Sequence, residues 1–252
     1  MIKIENTSVS GFEPAIRGMR NPKNSWGLSD SKVSDVPINL SIDEKESVVF
    51  NYILGEKDAD LAMRLNTGGP VHAKYRRMIT VWTDIIAPLY WWKEFDTYKV
   101  GTVADSCSTM HKITSKEFTL EDFSVDHLID MSELVDFGSE ESMMKLVLND
   151  NPIVETHEGS YWSPIGVLQI TIAMLNKCRT LYLKTKDKKY WWQLIQLLPS
   201  SYNQRRTVML NYEVLSNIYI SRNGHKLDEW HVFRDWIKAL PYSELICRVE
   251  GD

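Results

Sequence analysis

Residues 198–225 read LPSSYNQRRTVMLNYEVLSNIYISRNGH, and the change of pattern inside this stretch decides the class of fold. Leu198-Pro199-Ser200-Ser201 interrupts the chain before Arg205 to Leu210, a run containing the β-branched Thr207 and Val208 that predicts a short strand. Asn211 follows as an N-cap, because its short side-chain oxygen accepts a hydrogen bond from an N–H that the first helical turn leaves unpaired. Glu213 places negative charge against the positive end of the helix dipole, so the spacing predicts a helix over Tyr212 to Arg222. Asn223-Gly224 supplies a left-handed exit.

Working outward, a final helix is predicted over Asp228 to Leu240, with Trp230, Phe233, Trp236 and Ile237 on one face and Pro241 as its stop. Upstream, Pro164 to Lys184 predicts a long helix and Lys188 to Leu197 a shorter one. Apolar residues recur at helical spacing from Ile42 to Asn66, Ser41 and Glu44 have the spacing of a capping box, and Gly68-Gly69-Pro70 stops the run. Lys74 to Ile86 is dense in Ile, Val, Thr and Trp and predicts a strand, while Pro88 suits the first turn of a helix over Leu89 to Thr97. Gly11 to Asn39, rich in Gly, Asn, Ser, Asp and Pro, reads as an extended loop. The middle, Phe118 to Glu158, is acidic and reads as a solvated helical face. Strands and helices therefore mix in an α/β (α+β) protein, expected as a single domain over residues 1–252 with a loop-rich segment at 11–39.

Composition narrows the function classes. The chain has 252 residues, 43% of them hydrophobic, enough to bury a sizeable core. A formal net charge of −5 argues against duplex nucleic acid as a partner, since such binding needs Lys and Arg to displace counterions. The longest mostly apolar stretch, Ile165 to Leu175, is shorter than the roughly 20 residues a membrane span requires, and Met1 to Ser8 does not resemble a signal peptide. Cys107, Cys178 and Cys247 have no C-x-x-C spacing, and no two histidines stand at i, i+4 with an acidic partner. No disulfide framework, no metal site and a cytoplasmic location are expected.

The order helix, Gly-Pro turn, strand, Ala-Pro, helix, Ser-rich segment, long helices, Leu-Pro, strand and Asn-capped helix ending in Arg and His resembles the flavin-dependent thymidylate synthases. That resemblance implies a mixed sheet flanked by long helices and a homotetramer whose active sites, shared between subunits, hold FAD beside dUMP. It implies that Asn217 helps hold the flavin, with His225, Lys99, Glu94 and Asn211 as further cofactor contacts, and that Arg222 reaches the nucleotide. The family's Arg-His-Arg signature falls on Thr97-Tyr98-Lys99, and its commonly found Gln on Glu94. The family's serine falls on Cys107, between Ser106 and Ser108, and the Arg preceding Leu-Pro is replaced within Ile195-Gln196-Leu197. Two guanidiniums offer bidentate, permanently charged recognition that Thr and Tyr do not reproduce.

Other cations stand near these positions: Lys74, Arg76 and Arg77 after the Gly-Pro turn with His72 beside them, Arg205-Arg206 before the capped helix, and Arg20 in the polar loop Gly18 to Trp26. Each is either a phosphate contact or an ordinary surface charge. As strand neighbours, Arg76 and Arg77 are expected on opposite faces. Tyr98, Cys107 and Ser108 are the candidate catalytic groups, and Ser106 a phosphate contact. Two functions remain open: flavin-dependent modification of dUMP or a related pyrimidine nucleotide, and a non-catalytic module that holds a nucleotide or dinucleotide.

Overall fold

The computed structural model describes residues 1–42, 46–129 and 163–247. Within it the chain divides into two compact units, Met1–Cys107 with Gln204–Asp252, and Ser108–Asn203. The described strands are β1 (Lys3–Ser10), β2 (Lys32–Ser41), β3 (Ser47–Ile53), β4 (Thr80–Pro88), β5 (Val103–Ser106) and β6 (Asn203–Asn211). They form one six-stranded mixed sheet in the order β2-β3-β1-β4-β6-β5. β1 is parallel to β3 and antiparallel to β4, while β2 with β3 and β5 with β6 are antiparallel pairs. The described α-helices are α1 (Phe12–Met19), α2 (Glu56–Thr67), α3 (Leu89–Phe95), α4 (Pro164–Thr185), α5 (Lys188–Leu197), α6 (Tyr212–Ser221) and α7 (Asp228–Lys238).

The C-terminal third forms the elements its sequence predicts. Asn211 caps α6, its Oδ1 accepting from the Val214 N–H at 3.0 Å. Trp230, Phe233, Trp236 and Ile237 of α7 are all buried. They pack with Trp91, Trp92 and Phe95 of α3 into an aromatic cluster in which Trp91 and Trp230 ring centres are 4.8 Å apart. In the second unit, Ser163 caps α4 and Pro164 occupies its first turn, where a missing N–H costs nothing. There Leu168, Ile172 and Leu175 of α4 share a separate core with Leu194 of α5, Phe118 and Phe123.

The N-terminal third departs from expectation. Residues 42–66 are not one helix: Ser41 ends β2, β3 spans Ser47–Ile53, and among the described residues of this range only those from Glu56 onward are helical, in α2 (Glu56–Thr67). Burial in β3 alternates strictly, with Val48, Phe50 and Tyr52 inside, which is strand periodicity carried by β-branched and aromatic side chains. Glu44 of the expected capping box lies outside the described residues, as does the acidic run from Asp130 to Glu158. The α2 N-terminus is instead satisfied from outside, where Asp30 accepts hydrogen bonds from the N–H groups of Lys57 and Asp58.

The loop expected over 11–39 contains α1, two short 3-10 turns and most of β2. Phe12, Ala15, Ile16 and Met19 make the buried stripe of α1. Gly11 opens it at φ 90°, and a Cβ there would lie 2.1 Å from the Met78 carbonyl oxygen, so glycine alone fits. Pro37 sits in β2 within an irregular stretch between Val33 and Ile38, on an edge strand where a missing N–H is tolerated.

Residues 74–78 form a 3-10 turn, with β4 beginning at Thr80. Arg76 and Arg77 therefore do not alternate across a strand; Arg76 is buried and Arg77 exposed. Pro88 ends β4 and precedes α3, which begins at Leu89.

Candidate functional site

Arg222 stands at the C-terminus of α6, and its guanidinium is held from three sides. Nε donates to the Tyr98 hydroxyl at 2.8 Å, Nη1 donates to Glu94 Oε2 at 2.7 Å, and the plane lies 4.4 Å from the Trp230 ring centre. Glu94 Oε2 also accepts from Trp230 Nε1 at 2.9 Å. His225 Nδ1 accepts from the Leu227 N–H at 3.1 Å, and its Nε2 lies 3.2 Å from Glu94 Oε2 and 3.1 Å from Arg222 Nη1. The Tyr98 hydroxyl is shared with Ser221 Oγ at 2.8 Å. Arg222 Nη2 has no hydrogen bond among the described residues, its other nitrogens being engaged by Tyr98 and Glu94.

Of the remaining residues singled out in the sequence, Asn217 and Lys99 are exposed, and Asn211 is occupied as the α6 cap. Ser106 ends β5, and Cys107 follows with its backbone N–H on the Arg205 carbonyl. Ser108 belongs to the second unit, where its hydroxyl accepts from the His111 N–H at 3.0 Å. Arg205 pairs with Asp84 at 2.7 Å, and Arg206 pairs with Asp96 at 2.7 Å while lying 4.2 Å from the Trp92 ring centre. Arg76 is spent on Glu213 at 2.5 Å and Ser216 at 3.1 Å, deep in the core. Arg20 is likewise buried, with Nε 2.5 Å from Asp58. Burial raises the Asp58 carboxyl, but hydrogen bonds from Ser29, Ser31 and Arg20 outweigh it and keep the net shift downward.

A cleft of about 710 Å³ opens beside α1, α2 and the 3-10 turn that carries Lys74. Met19, Leu61, Leu65, Tyr75 and Met78 line it with apolar surface, and Arg17, Lys23, His72 and Lys74 contribute its basic groups. No carboxylate lines it. Arg17 is partnered by Glu13 at 3.3 Å, whereas Lys23 and Lys74 have no ion-pair partner among the described residues. Such a site has the volume of small-molecule pockets, roughly 300–1,000 Å³, and combines a greasy floor with unopposed positive charge. Of the residues singled out as phosphate contacts, Lys74 lines this cleft and Arg20, Arg76, Arg77, Arg205, Arg206 and Arg222 do not. Its Lys23 and Arg17 come from a region whose polar composition hid a helix. No cluster of three metal-ligating side chains occurs among the described residues, and none of the described helices is long and apolar enough to cross a membrane.

The fold is shared with the flavin-dependent thymidylate synthases. The chain is similar to the ThyX enzyme of Helicobacter pylori complexed with FAD and dUMP, with a TM-score of 0.58 and 16% identity over 97% of both chains. A second crystal structure of that enzyme with FAD and dUMP gives 0.56 and 15%, over 97% of this chain and 96% of the other. No protein-family model matches the sequence, and no curated protein matches it.

Proposed function

We propose that this protein binds a phosphorylated ligand of the dUMP or FAD type, and that the cleft between α1 and α2 takes part in holding it. The observation that carries this reading is the cleft's cationic lining without a carboxylate, on a fold shared with a protein complexed with FAD and dUMP. Lys23 and Lys74 would meet phosphate oxygens, and Leu61, Leu65 and Tyr75 would cover a flat ring. Arg222 offers one further donor, Nη2, at the end of α6. A homotetramer with pockets shared between subunits, and a cytoplasmic setting, belong to the same proposal, as does the treatment of residues 1–252 as one fold. The likeness over 97% of both chains supports that last point.

A flavin bound there would supply hydride for modification of a pyrimidine nucleotide. The second reading, binding without turnover, is favoured by Tyr98 and Glu94. In the segment aligned with the Arg-His-Arg signature, Tyr98 and the nearby Glu94 consume two faces of Arg222 in place of presenting further positive charge. Fewer cations aimed at a developing anion stabilise it less, a loss on the order of 3 kcal/mol per missing donor.

Titration calorimetry with dUMP and FAD tests the binding. Lys74→Ala is expected to weaken affinity by about 1.5–3 kcal/mol, the worth of a hydrogen bond to a charged group. Arg222→Ala is expected to fall in the same range if Nη2 meets the ligand. Absence of heat with both ligands, or affinities unmoved by Lys74→Ala and Lys23→Ala, overturns the proposal. A flavin absorbance band in the purified protein separates the enzyme from the module.

A further inference from the structure

A second, smaller cavity of about 320 Å³ lies beside α1, the segment joining it to β2 and the β2–β3 hairpin, and the larger cleft does not account for it. Its walls come from three places. Arg17 and Arg20 stand at the end of α1, Trp26 in the second of the two 3-10 turns that follow, and Lys32 and Tyr52 on the β2–β3 hairpin. Only Arg17 lines both cavities.

Arg20 is the feature that marks it as a built site. The residue is 3% exposed, yet it lines the cavity. Its Nε is bound to Asp58 and its Nη1 to the Ser25 carbonyl at 3.2 Å, while Nη2 has no hydrogen-bond partner among the described residues. A guanidinium withdrawn from solvent, with one donor edge unspent, gains most from an oxyanion that arrives with its own charge. Asp58 does not compete for that edge. It accepts from Ser29 and Ser31 hydroxyls, both at 2.7 Å, and from the N–H groups of Asp30 and Ser31, so its acceptor capacity is used and the wall is held rigid.

Charge in the cavity is unbalanced in the same sense. Asp58 neutralises Arg20 and Glu13 neutralises Arg17, whereas Lys32 has no ion-pair partner among the described residues. Trp26 is 50% exposed, and its indole N–H is tied to Asn21 Oδ1 at 2.8 Å, which fixes the ring's attitude and leaves much of it uncovered. The volume lies near the lower end of the range for small-molecule sites, enough for one ring and its head group.

We infer that this cavity binds a compact organic oxyanion carrying a single flat ring, its charged head on Arg20 and Lys32 and its ring against Trp26. The site does not rest on nucleotide binding at the larger cleft, because Trp26 and Lys32 do not line that cleft.

Calorimetric titration of the full chain with phenyl phosphate and with inorganic phosphate tests it, with dUMP and FAD as control ligands. Phenyl phosphate is expected to bind at least about tenfold more tightly than inorganic phosphate, the ring supplying the difference. Lys32→Gln is expected to weaken both probes about tenfold, as loss of one charge-assisted contact does. Trp26→Ala is expected to weaken phenyl phosphate alone. Both positions are exposed, so the variants fold, and nucleotide affinity should be unchanged in each. No heat with phenyl phosphate at millimolar concentration, equal affinity for the two probes, or indifference to both substitutions overturns the inference. Failure of dUMP and FAD to bind while phenyl phosphate behaves as described would remove the nucleotide proposal and leave this site standing.

Discussion

Trp91 is fully buried among Trp92, Phe95, Trp230 and Phe233, yet its indole N–H has no hydrogen-bond partner among the described residues. Two opposing quantities meet at this side chain. The ring contributes packing worth about 3–5 kcal/mol against alanine, while a buried unsatisfied N–H costs about 1–3 kcal/mol. Trp91→Ala should therefore lower unfolding free energy in urea by about 3–5 kcal/mol, and Trp91→Phe by about 1 kcal/mol or less, because it removes the orphan donor with part of the ring. Equal losses for the two variants would show that the N–H carries no penalty. The cysteines separate just as sharply. Cys107 is exposed, Cys178 is buried, and burial pushes the Cys247 thiol up to about 11. Since the thiolate is the reactive form, Ellman titration of the native protein should show a fast phase that Cys107→Ser abolishes and slow phases for the other two. Arg222 teaches what a residue list leaves unsaid. Its position at the end of an Asn-capped helix is readable from Asn211 and Gly224, but its engagement with Glu94 and Tyr98 depends on α3 being brought to that helix end.

Elements were legible where one signal acted alone. α6 has a capping residue, an acidic first turn and a Gly exit, all local, and α7 has one unambiguous aromatic stripe. Asn211→Ala should cost about 1 kcal/mol, read from urea unfolding curves, with helix content otherwise retained. β3 reads as helix because Val48, Val49, Ile53 and Leu54 satisfy helical spacing while Val48, Phe50 and Tyr52 satisfy alternation, and burial against neighbouring strands decides between the two patterns. α1 was hidden by the Gly and Pro residues around it, whose purpose is geometric: Gly11 takes a left-handed φ because the chain must pass against the Met78 carbonyl. Gly11→Ala should destabilise by about 2 kcal/mol or more, since both the conformation and the space exclude a methyl group. A loss below half of that would mean that the turn yields. The cap of α2 was unreadable in principle from its own sequence, as Asp30 supplies it from a distant part of the chain.

At the level of the whole molecule the sheet is fastened through side chains as well as backbone. Asp84 on β4 accepts from Thr207 and Arg205 of β6 and from Asn6 of β1, with the hydroxyl contact contributing most, and is held at about 2. A carboxyl whose folded pKa lies below its unfolded one stabilises the native state above about pH 4, and that stabilisation fades between about 4 and 2. The partly exposed site allows solvent screening, so the effect is on the order of 1 kcal/mol. Unfolding free energy measured from pH 5 to 2.5 should fall less steeply in Asp84→Asn than in the parent. The mixed α/β class was legible from alternating local patterns, and Lys74 of the cleft from its place after the Gly-Pro turn. The remaining cleft groups were not, because α1 and α2 meet only once β1, β3 and β4 have set the distance between them. The placement of β1 also bears on biogenesis. β1 lies inside the sheet between β3 and β4, and these neighbours, Ser47–Ile53 and Thr80–Pro88, leave the ribosome some forty and seventy residues after it. Until then both its margins are open to foreign strands, so a nascent chain stalled before Pro88 is the species in greatest need of a chaperone.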